Sequence, residues 1–496
     1  MNAANQNTKK PSVYDVAVKT PLQKATKLST KTGYSVLLKR EDLQPIHSFK
    51  IRGAYNKIAS LSKQEMSKGV IAASAGNHAQ GVALSAKRLG MKALIVMPRT
   101  TPSIKVDAVK SYGGQVELVG DSYSEAAEYC KKRVEETGMT FIHPFDDPLV
   151  IEGQGTIADE ILEQNPDVTH IFVPVGGGGL AAGVAKQAKS IKPSVKIIGV
   201  EPQDSDAMKQ SVDSGHIVEL EYVGIFADGV AVKKVGGSTF RTVAKYVDDL
   251  ITVSADQTCA AIKSIFEDTR SIVEPAGALA TAGLKTFDLP KKSVAVAVCS
   301  GANMTFERLQ FITERTLLGS GKEALYAVGL QEEPNALKQF CEKVVGDHNI
   351  TEFNYRLHER TKASIFVGVG VSDNEDKSDF ERLMQASSYT YTDLSSDDTA
   401  KQHIRHMVGG PSEKAINEQI FNVGFPERPG ALRDFLQIVG ECNSNISLFH
   451  YRGQGGDVGK VLIGFEGNKD KNLMPKLKHS SYNIKPASSK AIELFL

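Results

Sequence analysis

Short apolar runs alternate with longer stretches of helical periodicity over roughly the first 320 residues. The strand candidates are Val36–Lys39, Val70–Ala73, Ala93–Val96, Gln115–Val119, Ile171–Pro174, Lys196–Val200 and Val294–Val298. The helix candidates between them include Phe49–Leu61, His78–Leu89, Tyr123–Glu136, Thr156–Gln164 and Leu180–Ile191. This alternation predicts an α/β fold in which helices cover both faces of mostly parallel sheets. Ligands of such sheets bind beyond the carboxyl ends of the strands.

The rest of the chain contains an internal repeat. The segment Gly329–Phe340 matches Gly424–Phe435 at an offset of 95 (424 − 329), and Phe353–Arg356 matches Phe449–Arg452 at an offset of 96 (449 − 353). Each copy reads β-α-β-β-α-β, which is the ferredoxin-like order. The predicted boundaries are 1–320 for the first domain, 324–395 and 418–490 for the two α+β modules, and Leu317–Lys322 for a linker.

The composition limits which partners and which cellular compartment we expect for this protein. The 496 residues carry a formal net charge of +1, which gives no bulk attraction to nucleic acid or to an acidic membrane. The five cysteines are scattered without a CxxC pair, which suits a reducing compartment better than a disulfide framework or a metal site. The first residues lack the apolar core of a secretory signal. We therefore expect a cytoplasmic protein.

One lysine has the surroundings of a reactive amine. Lys50 lies in Ser48–Gly53, at the start of the first long helix, with apolar Phe49 and Ile51 on either side. Apolar surroundings lower the pKa of a lysine, and the neutral amine is the form that attacks an aldehyde. Taken alone, Lys50 is better interpreted as an ordinary surface lysine on an amphipathic helix, because the chain has 59 basic residues.

Three strand-to-helix loops supply further chemistry. Four consecutive glycines, Gly176–Gly179, precede a helix, where backbone N–H groups can converge on a phosphate; a flexible turn is the alternative. In Ser74–Gly81, backbone amides and the Asn77 amide can receive a second anion, or Ser74 and Asn77 can simply cap the helix. Ser300 places a hydroxyl at the end of the strand Val294–Val298, where a structural role is also common.

These motifs together resemble one family. Ser48–Gly53, Ser74–His78, Gly176–Leu180 and Ser300–Asn303 look like the signature set of fold-type II pyridoxal-phosphate enzymes, and the resemblance covers the whole first domain. The fold it implies is that of the tryptophan synthase β chain. The paired C-terminal modules are similar to the ACT-like regulatory modules of biosynthetic threonine dehydratases.

The resemblance implies a role for each motif. Lys50 would bind pyridoxal phosphate covalently and act as the catalytic base, and Ser300 would contact the pyridine nitrogen. Asn77 would donate a hydrogen bond to the ring oxygen of the cofactor. The residues that would bind the phosphate are Gly176, Gly177, Gly178, Gly179 and Leu180. The residues that would bind the substrate carboxylate are Ser74, Gly76, Asn77 and His78.

The function implied is the conversion of L-threonine to 2-oxobutanoate and ammonia, the first step of isoleucine biosynthesis. The family further implies inhibition by isoleucine, opposition by valine, and a homotetramer. A preference for L-serine and a catalytically silent amino-acid sensor remain as alternatives. Racemases of this fold carry a serine where this chain has Ala75, so racemase activity is not expected. No metal is expected.

Overall fold

The structure is a computed structural model in which the chain divides into two compact units, Met1–Thr305 and Phe306–Leu496. The described residues are 11–331, 339–354, 362–406, 417–426, 431–442, 444, 446–452, 458–465, 473–478, 480 and 482–495.

Two sheets of almost entirely parallel strands form the framework of the first unit. Its strands are β1 (Leu22–Lys24), β2 (Ser35–Arg40), β3 (Val70–Ala73), β4 (Ala93–Met97), β5 (Gln115–Leu118), β6 (Thr140–Phe141), β7 (His170–Pro174), β8 (Lys196–Pro202), β9 (Asp249–Val253) and β10 (Val294–Cys299). The larger sheet has the order β1-β2-β10-β7-β8-β9, and the smaller has the order β5-β4-β3-β6. Only β1 pairs antiparallel. The predicted α/β class with parallel sheets is confirmed.

Helices lie between these strands. They are α1 (Thr26–Thr32), α2 (Lys50–Ala59), α3 (Lys63–Lys68), α4 (Asn77–Arg88), α5 (Ser103–Ser111), α6 (Tyr123–Thr137), α7 (Pro148–Gln164), α8 (Gly179–Ile191), α9 (Ala207–Ser214), α10 (Gly237–Tyr246), α11 (Ala255–Thr269) and α12 (Pro275–Thr286). Each strand and helix candidate matches an observed element. In the described part of the chain, no helix combines the length and apolar character needed to cross a membrane.

Helix α7 begins eight residues before its predicted start at Thr156. The Asp147 carboxylate accepts hydrogen bonds from the first-turn amides of Leu149 and Val150, so it caps the helix, and Pro148 suits the first position. Gly153 makes the helical pattern hard to recognise in the sequence, but it is needed for packing. A Cβ at Gly153 would lie 2.7 Å from the Cα of Gly53 in α2. The glycine allows α2 and α7 to approach closely.

The second unit contains two antiparallel four-stranded sheets. Its strands are β11 (Glu323–Gln331), β12 (Ile350–Asn354), β13 (Lys362–Gly370), β14 (Thr390–Asp393), β15 (Gln419–Pro426), β16 (Ile446–Arg452), β17 (Val458–Phe465) and β18 (Asn483–Pro486). Its helices are α13 (Arg308–Gly319), α14 (Asn374–Ala386), α15 (Asp398–Gln402), α16 (Ala431–Glu441), α17 (Leu473–Lys478) and α18 (Lys490–Phe495). The sheet orders β12-β13-β11-β14 and β16-β17-β15-β18 are the same ferredoxin-like arrangement, as the repeat predicts.

Two details of this unit differ from the sequence prediction. Leu317–Gly319, expected to be linker, forms the end of α13, because Leu317 and Leu318 continue its helical pattern. The sequence also predicts that the first helix of the first module spans Asn335–Val345. That range falls partly outside the described residues, and its described end is a π-helical turn, Cys341–Val345. The division of the chain at residue 320 stays a prediction.

The end of the chain returns to the first module. Ala491 of α18 is fully buried in a cluster with Leu325, Phe366 and Leu394, which belong to the sheet of that module or follow it directly, and Leu494 packs against the cluster. The same cluster takes in Ala400 and Ile404 from the segment that joins the modules. Helix α18 and the segment that joins the modules thus cover one face of the first module.

A buried network of four charges ties the first unit together. Glu160 of α7 pairs with Lys39 of β2 and with Arg52 of α2, each at 2.6 Å. Arg52 also pairs with Glu41, just after β2, at 2.7 Å. All four side chains are essentially inaccessible to solvent. Two positive and two negative charges balance, so no buried charge is left uncompensated.

Removing one charge from this network should destabilise the fold strongly. In Glu160→Gln, Lys39 and Arg52 keep their buried charges but lose their shared carboxylate, which costs about 3–5 kcal/mol of unfolding free energy. Denaturant unfolding measures the loss. Glu163→Gln is the matched control on the same helix, since Glu163 forms an exposed pair with Lys19; it should cost less than about 1 kcal/mol. Equal costs for the two variants would contradict the role given to the network.

Candidate active site

The chain around the reactive lysine pairs with the loop that follows β10. Ser48 forms an isolated antiparallel bridge with Gly301, and the Phe49 N–H donates to the Ser300 carbonyl at 3.1 Å. The Ala302 N–H in turn donates to the His47 carbonyl at 2.9 Å. Two segments about 250 residues apart in sequence are thereby fixed side by side, and they bring Lys50 and Ser300 together.

Lys50 is the first residue of α2. Its Nζ donates to the Pro144 carbonyl at 2.9 Å. Burial of the amine lowers the pKa of Lys50 to about 8, while the negative charge of Glu274 acts in the opposite direction. A substantial fraction of the amine is therefore neutral near physiological pH, and only the neutral amine is a nucleophile.

The glycine run lies between β7 and α8, as predicted. Gly178 has φ of +90°, a conformation that favours glycine. A Cβ on Gly177 would overlap the ring of Phe145. In the described part of the chain, no group accepts a hydrogen bond from the amides of Gly176 to Leu180. The loop therefore presents unused N–H donors at a helix N-terminus, where the helix dipole favours an anion.

The loop between β3 and α4 supplies a second set of donors. The Ser74 hydroxyl accepts a hydrogen bond from the Gly76 N–H at 3.3 Å, which holds the turn. Asn77 and His78 are the first two residues of α4, so their N–H groups lie beyond the reach of intrahelical acceptors. Asn77 turns its side chain towards two partners: its Nδ2 donates to Glu274 Oε1 at 2.7 Å, and its Oδ1 accepts from Asn303 Nδ2 at 2.8 Å.

His78 is buried and neutral. Burial, together with the nearby charge of Lys50, lowers its pKa to about 3. Because its Nε2 faces the Ile142 carbonyl at 2.8 Å, Nε2 carries the proton, and Nδ1 has no hydrogen-bond partner among the described residues. The ring therefore supports the loop without adding charge next to the lysine.

Ser300 lies directly after β10 and is buried. Its hydroxyl donates to the Ala276 carbonyl at 3.3 Å, near the start of α12. This long hydrogen bond leaves the oxygen able to interact with a further group.

Two groups of site residues lie outside the sequence prediction. Pro144 and Phe145 link Lys50 to the glycine loop, since one accepts from the lysine and the other packs on Gly177. Glu274 precedes Pro275 at the start of α12. A glutamate before a proline predicts only a helix N-terminus, so its contact with Asn77 could not be found without the fold.

The chain matches known proteins over nearly its whole length. Residues 13–301 match the family described as "Pyridoxal-phosphate dependent enzyme". Residues 314–404 and 409–494 match the "C-terminal regulatory domain of Threonine dehydratase". The biosynthetic L-threonine dehydratase of Burkholderia multivorans is 50% identical over 95% of this chain and 92% of its own length. That of Escherichia coli is 47% identical over 95% and 92%.

Two solved structures are each similar to part of this chain. A processed threonine deaminase isoform 2 from Solanum lycopersicum is 49% identical, covers 61% of this chain and 89% of its own, and has a TM-score of 0.59. A maize serine racemase is 35% identical, covers 62% and 98%, and has a TM-score of 0.57. On its fold, its active-site motifs and these matches, the chain belongs to the pyridoxal-phosphate-dependent enzymes, among the biosynthetic threonine dehydratases with a C-terminal regulatory domain.

Proposed function

We propose that Lys50 binds pyridoxal phosphate covalently and removes the α-proton of L-threonine in the conversion to 2-oxobutanoate and ammonia. The observation that carries this assignment is the pairing of the segment before Lys50 with the segment after Ser300. It supports the assignment because it brings the segment that carries an amine of lowered pKa next to the segment that carries a buried hydroxyl.

The residues present fit the cofactor. Pyridoxal phosphate has an aldehyde, a phosphate, a ring oxygen and a pyridine nitrogen. The nucleophilic amine of Lys50 suits the aldehyde, and the unused amides of Gly176, Gly177, Gly178, Gly179 and Leu180 suit the phosphate. Asn77 offers an N–H to the ring oxygen, and Ser300 offers a hydroxyl to the pyridine nitrogen. When bound, the cofactor supplies an electron sink for the α-carbon of the substrate.

Different residues of the chain would bind the substrate and remove its proton. The Ser74 hydroxyl and the amides of Gly76, Asn77 and His78 bind the substrate carboxylate and orient the amino acid. The Lys50 amine, in its neutral form, would take the α-proton as the general base. Ser300 would offer the pyridine nitrogen a hydroxyl instead of the carboxylic acid that would keep it protonated, so the cofactor would supply a weaker electron sink.

The match of the second unit to a regulatory domain supports an allosteric role for the repeats. We infer that isoleucine inhibits by binding to this unit, that valine opposes it, and that the enzyme is a cytoplasmic homotetramer. In ACT-like folds the junction between the first strand and its helix commonly forms the amino-acid site, which predicts effector sites at Gln331–Asn335 and Pro426–Gly430. Apart from Gln331 and Pro426, these junctions lie outside the described residues.

Loss of the Lys50 amine should abolish both attachment and catalysis. In Lys50→Ala, turnover of threonine should fall by at least about 10⁴-fold, since the base and the nucleophile each contribute about 10²–10⁴. Borohydride treatment followed by peptide mapping should label Lys50 in the parent enzyme and give no label in the variant. Lys57→Ala on the same helix, where Lys57 pairs with Asp147, should keep label and turnover. Label on any other lysine would refute the assignment.

The pKa of about 8 for Lys50 has a kinetic consequence. When pyridoxal phosphate is added to the apoenzyme, the attachment rate should rise with pH up to about 8 and then level off, because the neutral amine is the reacting form. A lysine of ordinary pKa would give a rate that rises beyond pH 10. Stopped-flow absorbance of the bound cofactor measures the profile, and a rate still rising at pH 10 would contradict the lowered pKa.

Regulation by isoleucine should be visible in substrate saturation. If isoleucine favours a state with low affinity for threonine, the saturation curve should become more sigmoidal and move to higher threonine concentration, and valine should reverse the change. Initial rates of oxoacid formation by the full chain measure both effects. A curve that isoleucine leaves unchanged would remove the effector assignment but not the catalytic one.

A further inference from the structure

The side chain of Asn77 is held at both ends by residues to which the reaction assigns no role. Its Nδ2 donates to Glu274 Oε1 at 2.7 Å, and its Oδ1 accepts from Asn303 Nδ2 at 2.8 Å. Asn303 Nδ2 also donates to the Ile46 carbonyl at 2.7 Å. The Asn77 amide therefore lies within a chain of hydrogen bonds that runs from one backbone carbonyl to one carboxylate.

The chemistry of the two terminal groups fixes the direction of this chain. The Ile46 carbonyl can only accept, so the nitrogen of Asn303 must face it. The same nitrogen, through its second hydrogen, then faces Asn77, which must present its oxygen. The Glu274 carboxylate, when ionised, also only accepts, so Asn77 must present its nitrogen there. Turning the Asn77 amide over would place oxygen against oxygen at Glu274 and nitrogen against nitrogen at Asn303.

Glu274 is itself held firmly. Its backbone N–H donates to the Gly301 carbonyl at 3.1 Å, and its side chain is almost fully buried. A Cβ on Gly301 would overlap its carboxylate, so the absence of a side chain at Gly301 makes room for it. Although Glu274 precedes the first turn of α12, its carboxylate caps no amide of that helix. A buried carboxylate is costly, and here it is directed at Asn77 instead of the helix.

We propose that Glu274 is a positioning residue that, with Asn303, locks the Asn77 amide with its nitrogen end towards the cofactor, so that the second N–H of Asn77 remains a donor to the ring oxygen. The proposal rests on the cofactor role proposed for Asn77. If the amide were turned over, a lone pair would face the ring oxygen, and attraction would become repulsion. Glu274 thus determines whether Asn77 attracts or repels the ring oxygen, although Glu274 does not itself contact that oxygen.

A double-mutant cycle tests the proposal. Glu274→Gln keeps the size of the side chain but offers Asn77 either an oxygen or an N–H, so both orientations of Asn77 become possible. We expect the dissociation constant of pyridoxal phosphate to rise about tenfold, which corresponds to about 1.4 kcal/mol. The pH at which the visible absorbance of the bound cofactor changes should also shift, because the ring oxygen loses a donor. In an Asn77→Ala background, Glu274→Gln should change neither quantity further.

Each contrary outcome identifies which assignment fails. If Asn77→Ala leaves cofactor affinity and absorbance unchanged, the role proposed for Asn77 is wrong. If Asn77→Ala weakens binding but Glu274→Gln does not, the positioning role is overturned while the Asn77 role stands. Additive effects in the double variant would also overturn it, since Glu274 would then act on another group, such as Lys50.

Two controls separate positioning from general damage. Glu323→Gln removes a buried carboxylate that pairs with Arg405 in the second unit, and it should leave cofactor affinity and absorbance unchanged. Glu274→Asp keeps an acceptor on a shorter side chain and covers the case in which Glu274→Gln fails to fold. It should give a smaller loss of affinity that also disappears in the Asn77→Ala background. A loss that persists there would count against the proposal.

Discussion

The position of the reactive lysine depends on the buried network of four charges that fixes helix α2. Arg52 lies two residues after Lys50 on α2 and is tied to Glu41 beside β2 and to Glu160 on α7. A shift of α2 along its axis would break these pairs and leave charges unpaired in the interior, which costs several kcal/mol. Close packing of α2 against α7 at Gly53 and Gly153 restricts the same motion. The start of α2, and with it Lys50, is thereby set to within a fraction of a helical turn.

The arrangement also shows how two regions distant in sequence make one site. Parallel strands deliver their following loops to one edge of their sheet. The loops after β7 and β10 leave the larger sheet in this way, and the loop after β3 leaves the smaller sheet. The pairing of Ser48 with Gly301 then joins the lysine to the loop after β10. Lys50, Asn77 and Ser300 need no direct contact with one another, since the backbone and Glu274 hold them in place.

Much of this was accessible from the sequence, because it depends on local patterns. Continuous apolar strands such as Val70–Ala73 are bounded as predicted, and the repeat reveals both ferredoxin-like modules. The features that the sequence does not predict depend on tertiary contacts. The first half of α7 contains Gly153, which is needed because α2 packs against it. From the sequence Glu274 indicates only the start of a helix, and its hydrogen bond with Asn77 is visible only in the folded chain. The sequence predicts a linker at Leu317–Lys322, but Leu317 and Leu318 continue the helical pattern of α13 as far as Gly319.

The return of α18 to the first module makes the two repeats unequal. A sheet with one helical layer has a second face to cover, and in the first copy Ala491 and the segment around Ala400 cover it. Loss of α18 would expose this apolar face of the first copy. The two copies therefore share one topology but differ in what covers them, since the burial of the first depends on a helix that follows the second.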